Sequence, residues 1–486
     1  MASLQFAGGR LSLLWEIVVF SQSYLKGNHR RMEQSRMARF KAWLADPIDP
    51  YMLAILRIGY GILMMYNMFR YFKIGLIRNM FVLPRVNFHY DFLYWVKPLP
   101  EVYMNLILGL LFVCAFCIAA GLVLRWAGLV FAIGYAYIFL IDKSIYNNHI
   151  YLFILIAFLF SFTDADRVLS LGRKKTKEFW IQRWQIVIFQ AQIVIVYFYG
   201  GIAKLTKDWL INCQPVRYLV EHMGEKHLMA PLLKNEAAIY ILNYGGLLLD
   251  LGAPLLLWYK PIRKWAVYLF IGFNSANSRI FSDIGIFPYT MLFVLLIFYE
   301  TRELPVIRRL LNRPEGKGMP IPANAYGANS LTLGLRPISP LIYGYFVFQL
   351  LFPFRGHFLP NPLDWTTVGN RFSWRMKVDT REGAEKQFFI HSDSLPQPVP
   401  VDIHSFINDV QIRNLEHDPR SIADFARFLK SEALVYHTPN PQITANVQIR
   451  YNGRPPQYFV NPKVNLAEVE YKWYRKMNWV YPVPKY

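Results

Sequence analysis

The sequence predicts a mostly α polytopic membrane bundle, with about nine transmembrane helices, followed by a small β-rich extracytoplasmic domain. Three observations predict it. Of 486 residues, 54% are hydrophobic and 17% aromatic, and the mean hydropathy is positive, which is too apolar for an ordinary soluble chain of this size. Apolar runs long enough to cross about 30 Å of hydrocarbon recur as far as residue 354. Basic residues collect at the ends of those runs, as topology signals do. The formal charge of +21 could suggest nucleic acid, but the basic residues form no face with stacking aromatics on a soluble segment, so no nucleic-acid partner is expected.

Residues 1–50 read as a cytoplasmic arm. Its first twenty residues, MASLQFAGGRLSLLWEIVVF, have an apolar patch interrupted by Glu16 and no small-residue cleavage site, which fits an amphipathic surface helix better than a cleaved signal. Residues 51–354 hold the candidate spans, near 52–69, 103–124, 126–141, 150–162, 185–204, 237–258, 264–281, 285–299 and 339–354. With Arg30, Arg31, Arg36, Arg39 and Lys41 inside, this count also places Arg125, Arg167 to Arg183, Lys260 to Lys264 and Arg302 to Lys317 inside. The loop from Arg70 to Lys97 falls outside despite its basic residues. Its aromatic content suggests that it folds against the membrane face.

An odd number of spans puts residues 355–486 outside. There both charge signs mix with prolines such as Pro396, Pro398 and Pro400. The alternating run ITANVQIRYNG, Ile443 to Gly453, predicts a strand and a turn, and a helix is expected near Ser421 to Glu432. Cys114 and Cys117 lie one helical turn apart in an apolar run and Cys213 is alone, so they read as small hydrophobes outside any disulfide network or metal site.

The stretch YFYGGIAKLTKDWL, Tyr197 to Leu210, closes a membrane-grade run on Gly200 and Gly201 and then places Lys204 one turn beyond. An ammonium at the centre of a membrane helix costs about 2.5–3.5 kcal/mol, so this lysine either snorkels to the interface or has a task. In an apolar cavity desolvation favours the neutral amine, which can accept a proton. The glycines would let a flat ligand or a neighbouring helix reach the backbone. The loop IDKSIYNNHIYL, Ile141 to Leu152, emerges on the same side and carries Asn147, Asn148 and His149, so His149 and Lys204 could share one pocket. These polar residues read either as an ordinary interface loop or as donors and acceptors that orient a quinol. In FNSANSRIF, Phe273 to Phe281, Asn274 and Asn277 lie on one face of a span, where buried amides must find partners. Two further intramembrane charges, Arg57 and Asp250, are expected to form a buried structural ion pair. HExxH, CxxC, phosphate-loop and GxSxG motifs are absent, so metalloprotease, dithiol, ATPase and hydrolase readings lack support.

Several stretches, in order, resemble the vitamin K-dependent γ-glutamyl carboxylase family, whose membrane part is also called the horizontally transferred transmembrane domain. They are LRIGYGILM, IDKSIYNNHIYL with the following TDAD, VYFYGGIAKLTKDW, GGLLLDLGAPLLL, NSANSRIFSDIGIFPY and HFLPNPLDWTTVGNRFSWRMKV. The resemblance implies that Lys204 is the base that deprotonates reduced vitamin K, phylloquinol or menaquinol, and that His149 assists oxygenation. It further implies that O2 converts the quinol to its epoxide through a strongly basic alkoxide, which removes a γ-proton from a substrate glutamate so that CO2 can add. Asn147, Asn148, Tyr197, Gly200, Gly201, Asn274 and Asn277 are the expected quinol-binding residues, and no metal is expected. Animal members have two adjacent lysines where this chain has Ala203 and Lys204, and a histidine at the position of Asn274. They also continue well past the point matching Tyr486, through a stretch that contributes to propeptide binding.

The expected partners are the lipid bilayer, a quinol and a glutamate-containing extracytoplasmic protein. The short tail and the lack of a bridging cysteine favour a bacterial plasma membrane over the endoplasmic reticulum. Two other readings use the same scaffold: a quinol epoxidase without efficient carboxylation, and a non-enzymatic quinone-binding or transport protein. A transporter should show paired halves with broken helices, a symmetry this sequence lacks.

Overall fold

The computed structural model describes residues 36–172, 180–222, 233, 235–280, 285–310 and 339–483. The surface helix expected in residues 1–20, Arg30, Arg31 and residues 311–317 of the basic loop ending at Lys317 lie outside the described residues.

Each apolar run is helical. The helices are α1 (Tyr51–Lys73), α2 (Glu101–Ala120), α3 (Leu124–Leu140), α4 (Asn148–Phe160), α5 (Trp184–Ala203), α6 (Glu236–Trp258), α7 (Lys260–Ile280), α8 (Phe287–Leu295) and α9 (Ser339–Leu351). Among the described residues, α1, α2, α5 and α6 are long and apolar enough to cross a membrane, while α3, α4 and Phe287–Phe298 are shorter apolar helices. Length and composition therefore support four crossings where the apolar runs suggested about nine.

Small residues set how closely the helices approach. A Cβ on Gly61 of α1 would stand 2.5 Å from the backbone N of Ala119, so α1 and α2 cross nearly in contact there. Gly121 ends α2 in the left-handed conformation, φ 70°, a common helix stop.

Arg57 does not meet Asp250, contrary to the expected pair. It is fully buried, and its guanidinium donates to four backbone carbonyls: Nη1 to Ile118 (2.7 Å) and Ala119 (2.5 Å), Nη2 to Leu169 (2.5 Å) and Nε to Ala165 (3.1 Å). The last carbonyls of α2 lack intrahelical partners and carry the negative end of the helix dipole, so they satisfy the fork without a carboxylate.

The C-terminal domain is a four-stranded antiparallel sheet in the order β4-β3-β5-β6, where β3 is Arg381–His391, β4 Val399–Val401, β5 Gln442–Tyr451 and β6 Gln457–Tyr458. A further short pair, β1 (Pro47–Ile48) with β2 (Ile181–Gln182), lies elsewhere. In β5, Ile443, Ala445, Val447, Ile449 and Tyr451 are buried in alternation, which confirms the period-two reading of this stretch. Phe388 of β3 pairs with Ala445 and packs edge-on against Phe425 of α11 (Pro419–Val435), 5.0 Å away; α10 (Asp409–Leu415) precedes it.

Part of the loop between α1 and α2 packs on the C-terminal domain. Phe88 is fully exclude from solvent within that domain's core, beside Trp365 and Phe388. Arg85 N donates to Phe406 O (2.8 Å), and Arg420 of α11 pairs with Asp91 (2.5 Å). Phe88 thus finds an apolar partner in protein, whereas Phe92, Tyr94 and Trp95 of the same loop stay exposed.

Candidate active site

Tyr197, Gly200, Gly201 and Lys204 follow the i, i+3, i+4, i+7 spacing along α5, so they share one face, and all four are buried. That face meets α6. A Cβ on Gly201 would come within 2.8 Å of the backbone N of Leu251, and one on Gly200 within 3.3 Å of Asp250 Oδ2. The two glycines therefore serve close helix packing, and the second consequence is a carboxylate pressed against bare backbone.

Lys204, which caps the C-terminus of α5, donates from Nζ to Asp250 Oδ2. Lys204 is 7% exposed and Asp250 4%, so the pair is withdrawn from water. This contact replaces the pairing expected for Asp250, because the end of α5 brings a cation to it that sequence separation concealed. Among the described residues, Asp250 Oδ1 has no hydrogen-bond partner. A buried acceptor without a partner is costly and calls for a donor from elsewhere, such as a ligand hydroxyl. The Lys204 ammonium also stands 5.2 Å from the centre of the Trp209 ring. Trp209 is locked in place, since its Nε1 donates to Asn243 O (3.1 Å) and Asn243 Nδ2 donates to Trp209 O (3.0 Å).

Two turns back from Lys204 on α5, the Tyr197 hydroxyl accepts from Asn274 Nδ2 (3.1 Å), which also bonds Phe270 O (2.8 Å). The buried amide of Asn274 is thereby satisfied, and Asn277 lies partly buried one turn further along α7.

The NNH motif begins α4. Asn147 is its N-cap, with Oδ1 accepting from the backbone N of His149 (2.8 Å). The His149 ring stacks on Phe287 of α8, 3.8 Å between centroids and 9° from parallel. Asn148 belongs to a different arrangement. Phe372 N donates to the Tyr146 hydroxyl (2.5 Å), Tyr146 donates to Asn148 Oδ1 (2.7 Å), and Asn148 Nδ2 donates to Arg375 O (2.8 Å). The motif thus grips the segment Phe372–Met376, which returns from the C-terminal domain, and Met376 Cε lies 3.8 Å from where a Gly200 Cβ would be. Phe372 and Trp374 in that segment, and Lys377 just after it, have left-handed backbone (φ 62°, 57° and 51°), and fully buried Trp374 stacks on Tyr151 at 4.8 Å.

Two ionic junctions join the C-terminal domain to the loops that carry Lys204 and His149. At the first, Asp208 receives both Nη groups of Arg454 (2.8 and 2.9 Å) and Asn452 Nδ2 (2.8 Å). At the second, Lys143 lies 3.2 Å from Asp424 and 3.9 Å from Asp418, which also binds Arg371 (2.8 Å) and Arg420. Burial alone would push the Asp418 carboxyl up, but Arg420, Lys143 and Arg371 hold it well below the usual carboxylate range.

Asp250 as the partner of Lys204, Trp209, Tyr146, Met376 and the Arg454 junction are absent from a site read off sequence alone. The aspartate of KLTKDW, Asp208, a charge placed just past the end of an apolar run, is the signal that could have pointed to the last. Among the described residues, no three His, Cys, Asp or Glu side chains converge as a metal site. A surface cleft of about 730 Å³ on the C-terminal domain, lined by Lys386, Asp402 and Arg413 among others, shares no lining residue with the Lys204 cluster.

A family model described as the HTTM domain matches residues 45–302. A second, described as the vitamin K-dependent gamma-carboxylase, lumenal domain, matches residues 336–486. No solved structure matches the chain.

Proposed function

The chain belongs to the vitamin K-dependent γ-carboxylase family, with an HTTM domain and an extracytoplasmic domain, and from that premise we propose that it is a membrane enzyme that oxygenates vitamin K hydroquinone and couples this to γ-carboxylation of protein glutamate. The observation that carries the reading is the contact of Lys204 with Asp250 beside Gly200, within an apolar bundle. The residues present fit a hydroquinone: an amine to take a hydroxyl proton, and an unpartnered buried carboxylate oxygen to accept from a hydroxyl. When bound, the reduced vitamin supplies the reaction with O2 and the strong base that glutamate carboxylation needs.

Lys204 takes the hydroquinone proton at Nζ and must therefore present an unprotonated amine. Asp250 provides the means. Moving the shared proton from Nζ to Oδ2 cancels two buried charges at once, which an apolar surround favours over an isolated ammonium. Trp209 and α6 keep water from the pair. His149, aligned by Phe287 and by the Asn147 cap, orients the ring being oxygenated, with Asn148, Tyr197, Asn274 and Asn277 shaping the wall around it. In this reading the helices from 51 to 354 make nine crossings with the N-terminal arm cytoplasmic, 355–486 faces outward to a glutamate-containing protein, and the host is a bacterial plasma membrane.

The experiment is product analysis. Purified protein is given reduced vitamin K and O2, with epoxide quantified for the parent, Lys204→Ala and Asp250→Asn, and with labelled CO2 and a glutamate peptide added in parallel. Epoxide from the parent and only the uncatalysed amount from Lys204→Ala is the expected result. Label in the peptide separates a carboxylase from an epoxidase alone. Quinol binding without epoxide would replace the enzyme with a quinone-binding protein.

A further inference from the structure

We propose that Arg454, beyond the end of β5 in the C-terminal domain, is a positioning residue for Lys204: through Asp208 it holds the turn that directly follows the lysine. The inference rests on reading Lys204 as the proton acceptor. It concerns how that amine is kept in place.

Lysine has a flexible four-carbon stem, so its ammonium is positioned only as well as its Cα and its tip are held. The tip is held by Asp250. The Cα sits at the C-cap of α5, where Lys204 N donates to Gly201 O (3.0 Å), and leads into a short connection beyond the helix. Thr206 N donates to Lys204 O (2.8 Å), Thr206 Oγ1 accepts from Trp209 N (3.3 Å), and one turn of helix follows at Lys207–Leu210. One turn this short has little stability of its own. It is gripped from two sides. On one, Trp209 and Asn243 exchange two hydrogen bonds that tie it to α6. On the other, Asp208 receives the forked guanidinium of Arg454, the geometry that gives directional as well as ionic attachment.

The fork is itself prepared before it meets Asp208. Arg454 is 6% exposed and lies over the Tyr451 ring at 5.2 Å. Asn452 and Gly453, which precede it, both have left-handed backbone (φ 49° and 75°), the pairing found in tight hairpin turns. Asn452 Oδ1 accepts from Thr380 N (2.9 Å) while its Nδ2 reaches Asp208. A Cβ on Gly453 would stand 3.0 Å from the Tyr218 ring, so the turn is seated directly against the residues that follow Lys204. Burial would raise the Asp208 pKa, and Arg454 and Asn452 bring it below the ordinary value, so the junction stays ionised near neutral pH.

The test uses the full chain in lipid nanodiscs, with parent, Arg454→Gln, Arg454→Lys, Asp208→Asn and the exchanged pair Asp208→Arg with Arg454→Asp. Lys430→Gln, which removes an exposed contact within the same domain, is the control. Two quantities are read: the labelling rate of Lys204 by a small amine-reactive reagent, mapped by peptide mass spectrometry, and the epoxidation kinetics without a glutamate peptide. Freeing the turn should raise Lys204 labelling about tenfold in Arg454→Gln and Asp208→Asn, as expected for a local opening. It should lower kcat by about tenfold to a hundredfold with quinol KM within about twofold, the signature of a misplaced group. The exchanged pair should recover part of both losses. Where Arg454→Gln lowers the melting temperature of the domain, Arg454→Lys decides, since it keeps the charge and loses the fork. Unchanged Lys204 labelling in a folded Arg454 variant overturns the proposal, whatever the rates. If no protein forms epoxide, the parent included, while Lys204 protection still depends on Arg454, the functional reading fails and the positioning role stands.

Discussion

Lys204 and Asp250 meet across the contact of α5 with α6, where Gly200 leaves the carboxylate against bare backbone. Breaking a buried ion pair strands one charge, whereas removing both partners strands none. Asp250→Leu and Lys204→Met should each cost about 3 kcal/mol or more, and the double variant should cost less than either. Thermal unfolding in detergent checks it; a double variant as unstable as the sum of the two would refute the coupling.

The neighbouring glycines should differ in tolerance. Alanine at 201 must displace the backbone of α6, while alanine at 200 meets the carboxylate at a distance that a small shift relieves. Gly201→Ala is expected to lose about 1–3 kcal/mol, and Gly200→Ala less than half as much. Melting temperatures of the two purified variants decide the order.

Arg57 and Asp250 share no contact, so their effects should be independent. Arg57→Met leaves the last carbonyls of α2 without their donor, and its cost should add to that of Asp250→Asn within about 0.5 kcal/mol. A coupling of 1 kcal/mol or more in the double-mutant cycle, on the order of that between contacting residues, would restore the ion pair suggested by composition.

Phe388 packs between strand and helix with no exposed surface. Phe388→Ala should destabilise the C-terminal domain by about 3–5 kcal/mol. The loss should appear as a lower first transition in calorimetry, with the helical signal retained to higher temperature.

Burial, reinforced by the Arg381 charge, lowers the His417 pKa to about 4. An unfolded histidine titrates near 6.5, so between these values the unfolded chain binds a proton that the folded chain refuses. Stability should be level above about pH 6.5 and fall as pH drops towards 4. His417→Gln should flatten that limb in a series of melting temperatures against pH.

How much of this was legible depended on whether the signal was local. The helical segments were, because an apolar run declares itself by length, and Ile443 to Tyr451 was, because its burial alternates with the sequence. Lys204 stood out because a cation after two glycines at the end of such a run is unusual. Its partner did not. Arg57 and Asp250 look like natural counter-ions when only composition is available, and backbone carbonyls, which claimed Arg57, leave no mark in a sequence. The same holds for Arg454 with Asp208, 246 residues apart, and for Phe88, which joins a core formed almost 300 residues later.

Phe372 and Trp374 hold a backbone shape that glycine would favour, each at a cost of about 1–2 kcal/mol for a bulky side chain. Nothing within the segment repays that cost. The Tyr146 hydroxyl and the Tyr151 ring, both supplied by the helical half, keep it in that shape. The outer domain expressed by itself would therefore let these aromatics spring back to an extended path, and with Phe88 also missing its centre would be hollow. A chain cut between the two halves would part the outer module from the tyrosines and the loop that mould it.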